Sequence, residues 1–256
     1  MTTDNPYEQP HSDELRPARG CSWITWLAVA GVGGLILLGL LLPMSRRGVP
    51  EVARRVVCSN NLRQIAQAMV LYEQQHGTLP PACIRHADGR PLHSWRTLIL
   101  PYLEEQELFD TIDLTKPWDD PANAAARERM PSVYRCPGAE LPAGWTTYMV
   151  VVSPEGCFRP DRSVTLDEVP KPSQTLLVAE FPTKRAVPWM APEDADEEMF
   201  VALGPGNQTD HRGGLLNCAF VDGHTATFTP TETPECGPEW RRSLLRTDDR
   251  KINPVE

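Results

Sequence analysis

A chain of 256 residues with 41% hydrophobic residues and a net charge of -9 is long enough to bury a real core and too acidic, with no basic stripe, to favour nucleic acid as a partner. Its 26 prolines point to many turns, and its seven cysteines include no C-x-x-C pair and no Cys/His group at zinc spacing. Those cysteines (21, 58, 83, 136, 157, 218 and 236) read as one or more disulfides plus buried thiols, a pattern that an exoplasmic location permits.

Residues 1–20 are polar and contain proline, which predicts a disordered tail. The run from Cys21 to Met44 carries no charge. As one helix it would rise roughly 36 Å, enough to cross a hydrocarbon core of about 30 Å. A retained transmembrane anchor is favoured over a cleaved signal peptide, because the apolar run is long and its exit, PMSRRG, lacks a small-x-small cleavage site. Residues 45–256 then form the working domain on one side of the bilayer. Arg16 and Arg19 precede the helix while Arg46, Arg47, Arg54 and Arg55 follow it, so the arginine count alone places that domain in the cytoplasm.

Leu62, Ile65, Ala66, Met69 and Tyr72 recur at helical spacing and predict an amphipathic helix over Glu51 to His76, ended by a left-handed Gly77 and by Pro80-Pro81. Two short helices follow, His93 to Leu100 and Glu104 to Ile112, with Pro101 as the break, and then another over Ala122 to Arg129. Beyond Val133 the apolar runs become short and β-branched. Thr146 to Val152, Thr175 to Ala179 and Leu215 to Phe228 read as strands, the last folded into a hairpin with Asp222-Gly223 as a two-residue type I′ turn.

Motifs of chemistry are sparse. His211, Asp222 and His224 fall near one strand pair and are weak candidates for a metal site, since each also has a turn role. The acidic stretch Glu193, Asp194, Asp196, Glu197 and Glu198 offers hard oxygen ligands, but without the glycine-punctuated spacing of a calcium loop it reads as a solvated loop. Ser94 beside His93, and Ser163, have no nucleophile elbow, and no glycine run forms a phosphate loop. Trp95, Trp118, Trp145 and Trp189 read as core residues in preference to carbohydrate platforms. No catalytic residue and no cofactor is expected.

Several strings, taken in order, carry a resemblance: LLLP at 40–43, ARR at 53–55, CSNNLRQI from Cys58, LPPA at 79–82 and DGRPLHSWRTLILPYLEEQELFD from Asp88. The series continues with KPWDDPAN from Lys116, VYRCP from Val133, SQTLLVAE from Ser173, VPWMAPED from Val187 and HRGGLLNCAFVDGH from His211. The chain resembles, over most of residues 36–229, a large bacterial family of unknown function with a prepilin-like N-terminus, related to the major pseudopilin of type II secretion. The resemblance implies an α+β fold in which the N-terminal transmembrane helix continues into a long pilin-like helix packed on an antiparallel sheet. It also implies an exoplasmic domain, against the arginine count, and a disulfide between Cys58 and Cys136. Closing that loop of about 78 residues would contribute roughly 4 kcal/mol.

Family members carry a G-F-T-L-x-E type processing site, whereas this chain reads Gly20-Cys21-Ser22-Trp23-Ile24-Thr25 with no acidic residue in the helix. The leader is therefore expected to persist and the protein to stay outside any filament. The functional expectation is a non-enzymatic, single-pass inner-membrane protein that meets protein partners or itself in the cell envelope. The alternative is an exoplasmic metal-dependent hydrolase using His211, Asp222 and His224, or a ligand-binding sensor.

Overall fold

The computed structural model describes residue 27, residues 30–33, 51–204, 209, 211, 214–230 and 236–247. The chain divides into two units, residues 1–48 and 49–256. In the first, residue 27 and residues 30–33 are helical and exposed. The expected tail and the rest of the apolar run lie outside the described residues. Among the described residues, no helix is long and apolar enough to cross a membrane.

The second unit is mixed α and β. Its long helix spans Glu51–His76 and buries Cys58, Asn61, Leu62, Ile65, Ala66, Ala68 and Met69, a stripe at three- and four-residue steps. Gly77 ends it with φ 76°, its amide donating to the Glu73 carbonyl at 2.6 Å.

Among the described residues ten strands follow: β1 (Cys83–Arg85), β2 (Pro91–Ser94), β3 (Trp145–Thr146), β4 (Tyr148–Met149), β5 (Val151–Val152), β6 (Leu176–Glu180), β7 (Val187–Pro188), β8 (Ala195–Asp196), β9 (Leu216–Phe220) and β10 (Thr225–Phe228). The central sheet is antiparallel, in the order β10-β9-β6-β4. Short pairs β1-β2, β3-β7 and the parallel β5-β8 surround it. The long helix packs on β9, β6 and β10, and Ser59 Oγ meets Thr225 Oγ1 at 2.7 Å.

Strand alternation separates two cores. Val178 and Ala219 face the core shared with Leu62, Ile65, Met69, Tyr148 and Trp189. Ala179, Leu216, Cys218 and Phe220 face the other, with Phe181, Phe200 and Leu244. The sheet is thus covered on both sides, and all five residues of β6 and of β9 are buried.

Three sequence expectations change. Pro101 does not break the helices: it sits in the first turn of a 3₁₀ helix, Leu100–Leu103, where no amide donor is needed, and the reversal comes at Glu104, with φ 63°. The helices around it shorten to Trp95–Leu98 and Gln106–Phe109, because His93 and Ser94 belong to β2. The β9-β10 turn is a three-residue loop, Val221 to Gly223. Only its Gly223 has positive φ, 84°; the Phe220 amide donates to the His224 carbonyl while the Phe220 carbonyl accepts from the Gly223 amide, which makes a glycine bulge in place of a type I′ turn.

The third change concerns the acidic stretch. Asp194 is an ion-pair partner of the fully buried Arg96, Nη2 to Oδ1 2.7 Å, with the carboxylate side chain 3% exposed. Trp95 Nε1 at 3.0 Å and the Val150 amide at 3.1 Å also donate to Asp194 Oδ1. Arg96 in turn donates from Nε and Nη2 to the Tyr148 carbonyl and from Nη1 to Ser94 Oγ. Asp196 caps the helix Glu197–Val201, and Glu197 bonds Ser153 and Arg242. Trp95 and Trp189 are core residues as expected, while Trp145 remains 37% exposed.

Removing one partner of a buried pair strands the other charge. Asp194→Ala is expected to lower unfolding free energy by about 3–5 kcal/mol, read by urea denaturation, with exposed Glu198→Ala within about 0.5 kcal/mol of wild type.

Candidate functional site

Four side chains from distant parts of the chain converge between the long helix and the sheet. Cys58 and Glu51, seven positions apart, lie on the same face of the helix. Asn61, one turn beyond Cys58, donates to the Arg135 carbonyl at 3.0 Å, which holds the Arg-Cys-Pro segment and its Cys136 against the helix. Glu180 ends β6 on the same side as Val178, facing the helix, and Asn217 of β9 donates to its Oε2 at 2.7 Å. Asn217 is itself oriented by Thr227 Oγ1 at 2.8 Å.

His211 enters just before β9, where Gly214, with φ 64°, turns the backbone and donates to the His211 carbonyl. Its Nδ1 lies 2.7 Å from Glu51 Oε1, and its Nε2 lies 3.3 Å from Glu180 Oε2 and 3.6 Å from Cys136 Sγ. The ligand atoms of Cys58, Cys136, Glu180 and His211 all fall within 4.8 Å of one another, and all four residues are buried. The Gly138 amide donates to Cys136 Sγ at 3.3 Å.

Electrostatics follow from this crowding. A hydrogen bond from Cys136, reinforced by His211 and opposed by burial, draws the Cys58 thiol down to about 6. The same pairing pushes Cys136 far up. Burial pulls His211 down, but Cys58, Glu180 and Glu51 outweigh it and hold the imidazole up to about 11. Burial pushes the Tyr148 phenol well up, with Glu180, Cys136 and Cys58 adding to it, and its buried Oη has no partner at hydrogen-bond geometry.

The expected pairing partners Cys58 and Cys136 are therefore brought together, and both are free thiols. The other expected group is not assembled. Asp222 and His224 pair with each other in the exposed β9-β10 turn, Oδ1 to Nδ1 2.5 Å, and His224 stacks on Phe220. Their nearness to His211 in sequence is offset by β9, which lies between them. Sequence reading does not single out Glu180 or Glu51. A signal for Glu180 exists: a lone carboxylate in the apolar strand LLVAE, at the same parity as Val178, has to point into the core.

Two thiols, an imidazole and a carboxylate can act as a dithiol or as ligands of a thiophilic divalent cation. A cleft of about 590 Å³ lies elsewhere, lined by Cys83, Arg85, Arg159, Arg162 and Asp194 among others, and none of the four residues opens onto it.

The geometry defines a helix-on-sheet α+β domain with a buried polar cluster between helix and sheet. Residues 49–156 match the model of a family described as a protein of unknown function (DUF1559), a stretch that holds Cys58 and Cys136 and stops short of Glu180 and His211. That match supports a bacterial domain of unknown function and carries no indication of a pseudopilin relationship. Neither a curated protein nor a solved structure matches the chain significantly.

The ring of His211 needs a glycine beside it. A Cβ on Gly138 would lie 2.6 Å from His211 Cε1. Gly138→Ala is expected to cost about 1–3 kcal/mol and to shift the His211 ring resonances in NMR spectra. An unshifted ring would show that the contact is not tight.

Proposed function

We propose that the chain is a non-enzymatic, single-pass membrane protein of the cell envelope, pseudopilin-like in build, whose exoplasmic domain meets protein partners through its long helix. The observation that carries this reading is a set of exposed valines on the first turns of that helix: Val52 is 62% exposed, Val56 54% and Val57 43%. Val52 and Val56, four positions apart, form one stripe, and apolar side chains at that spacing on a helix suit a second helix or a membrane-proximal partner. The uncharged run from Cys21 to Met44 supports anchoring. Enzymatic use of the cluster is disfavoured by its burial, since a thiolate beside an imidazolium attacks only a substrate that can reach it.

A photoreactive residue placed at position 56 of the full-length chain tests this in native membranes. Defined adducts with an envelope protein or a second copy are expected there, and none from the same residue at exposed, polar position 63. Equal labelling at both positions, or none, together with release of the chain by alkaline carbonate, would overturn the reading.

A further inference from the structure

We propose that Cys58, Cys136, Glu180 and His211 form a closed, structural site for a thiophilic divalent cation of the zinc class, one ion per chain. All four ligand atoms lie within 4.8 Å of one another, and two of their spacings already match such a site. Around a tetrahedral zinc with Zn–S about 2.3 Å and Zn–N and Zn–O about 2.0 Å, neighbouring ligands stand about 3.5 Å apart for sulfur and nitrogen and about 3.3 Å for nitrogen and oxygen. The chain holds Cys136 Sγ and His211 Nε2 at 3.6 Å, and His211 Nε2 and Glu180 Oε2 at 3.3 Å.

The surroundings match what a metal asks of its supporting groups. Glu51 takes the Nδ1 side of His211 at 2.7 Å, which leaves Nε2 as the atom that faces the thiols. Asn217 steadies Glu180, and the Gly138 amide points at Cys136 Sγ, an arrangement that stabilises a thiolate. Tyr148 Oη, buried and without a hydrogen-bond partner, is one hydroxyl donor for the negative charge that two thiolates and a carboxylate retain around a dication. Four buried protein ligands fill a tetrahedral shell and, among the described residues, none lines the cleft at Cys83 and Arg159, so the ion's work is to clamp the long helix to the sheet. On binding, the protons that the two thiols and His211 Nε2 carry leave to solvent.

The test uses the full-length chain extracted in detergent under anaerobic, reducing conditions. One zinc per chain is expected by elemental analysis, and replacement by cobalt should give the visible absorption of a tetrahedral site with a thiolate charge-transfer band. Cys136→Ser and His211→Ala should lose the ion, Asp222→Asn and His224→Ala should keep it, and Glu51→Gln should weaken binding roughly 10- to 100-fold. Because a ligand variant can fail to fold, wild type supplies a second readout: Cys58 and Cys136 should resist alkylation until a chelator is added. A zinc-supplemented wild-type chain that holds no metal and alkylates freely at both cysteines would overturn the site. So would a Cys58–Cys136 disulfide recovered from freshly alkylated membranes, or full zinc content in the Cys58→Ser, Cys136→Ser double variant.

Discussion

A guanidinium with no exposed surface can persist only if every part of it is answered, and Arg96 is answered from three directions. Asp194 neutralises it, the Tyr148 carbonyl takes two of its donors, and the Trp95 ring lies 4.6 Å beneath its carbon. This one side chain joins the β2 end, the edge strand β4 and the segment leading into β8. The Arg96 carbonyl also accepts from Tyr134 Oη at 2.7 Å, which seats the 3₁₀ helix Ser132–Tyr134 just before Cys136. The pair therefore sets the position of two groups around the central cluster: Tyr148 through its backbone, and Cys136 through the segment that Tyr134 anchors.

The cluster itself is costly to bury. A carboxylate, an imidazole and two thiols removed from water are tolerable only where their polar atoms have partners, and Glu51, Asn217 and the Gly138 amide supply those partners from three different parts of the chain. An apolar filling of equal volume would stabilise as much. What the polar set adds is register: Glu180 and Asn217 meet only if β6 and β9 pair as they do, and Cys58 meets them only if the helix lies at one rotation.

Much of the fold was legible in the chain because its causes are local. The long helix declares itself by a stripe of apolar residues and by Gly77 and Pro80-Pro81 at its end. The strands after Val133 declare themselves by β-branched runs. The misreadings share one physical source, which is that a residue's local role says nothing of its distant partner. Pro101 looks like a breaker, yet the first turn of a 3₁₀ helix accepts it. Asp194 sits among acids that look solvated, yet it answers a cation 98 positions earlier. Sequence distance puts His211 beside Asp222 and His224, while its neighbours in space come from a helix and a strand far upstream. Cys58 and Cys136 are paired only by resemblance to a family, since nothing local links them, and the structure sets their thiols within 4.8 Å.

The long separations between these partners also bear on how the molecule is made. Glu51 and His211 are 160 positions apart, and Ser59 and Thr225 are 166 apart. During synthesis the long helix emerges early, whereas β9 and β10, against which it packs, emerge only near the end. Its apolar stripe can meet Ile99, Leu100 and the segment at Ser132–Tyr134 earlier, but its contacts with the sheet must wait, and contacts this distant form slowly because a long loop has to close before they give anything back. The helix is thus made well before the sheet that secures it, and in that interval the part of its stripe that the sheet will cover stays open to wrong partners.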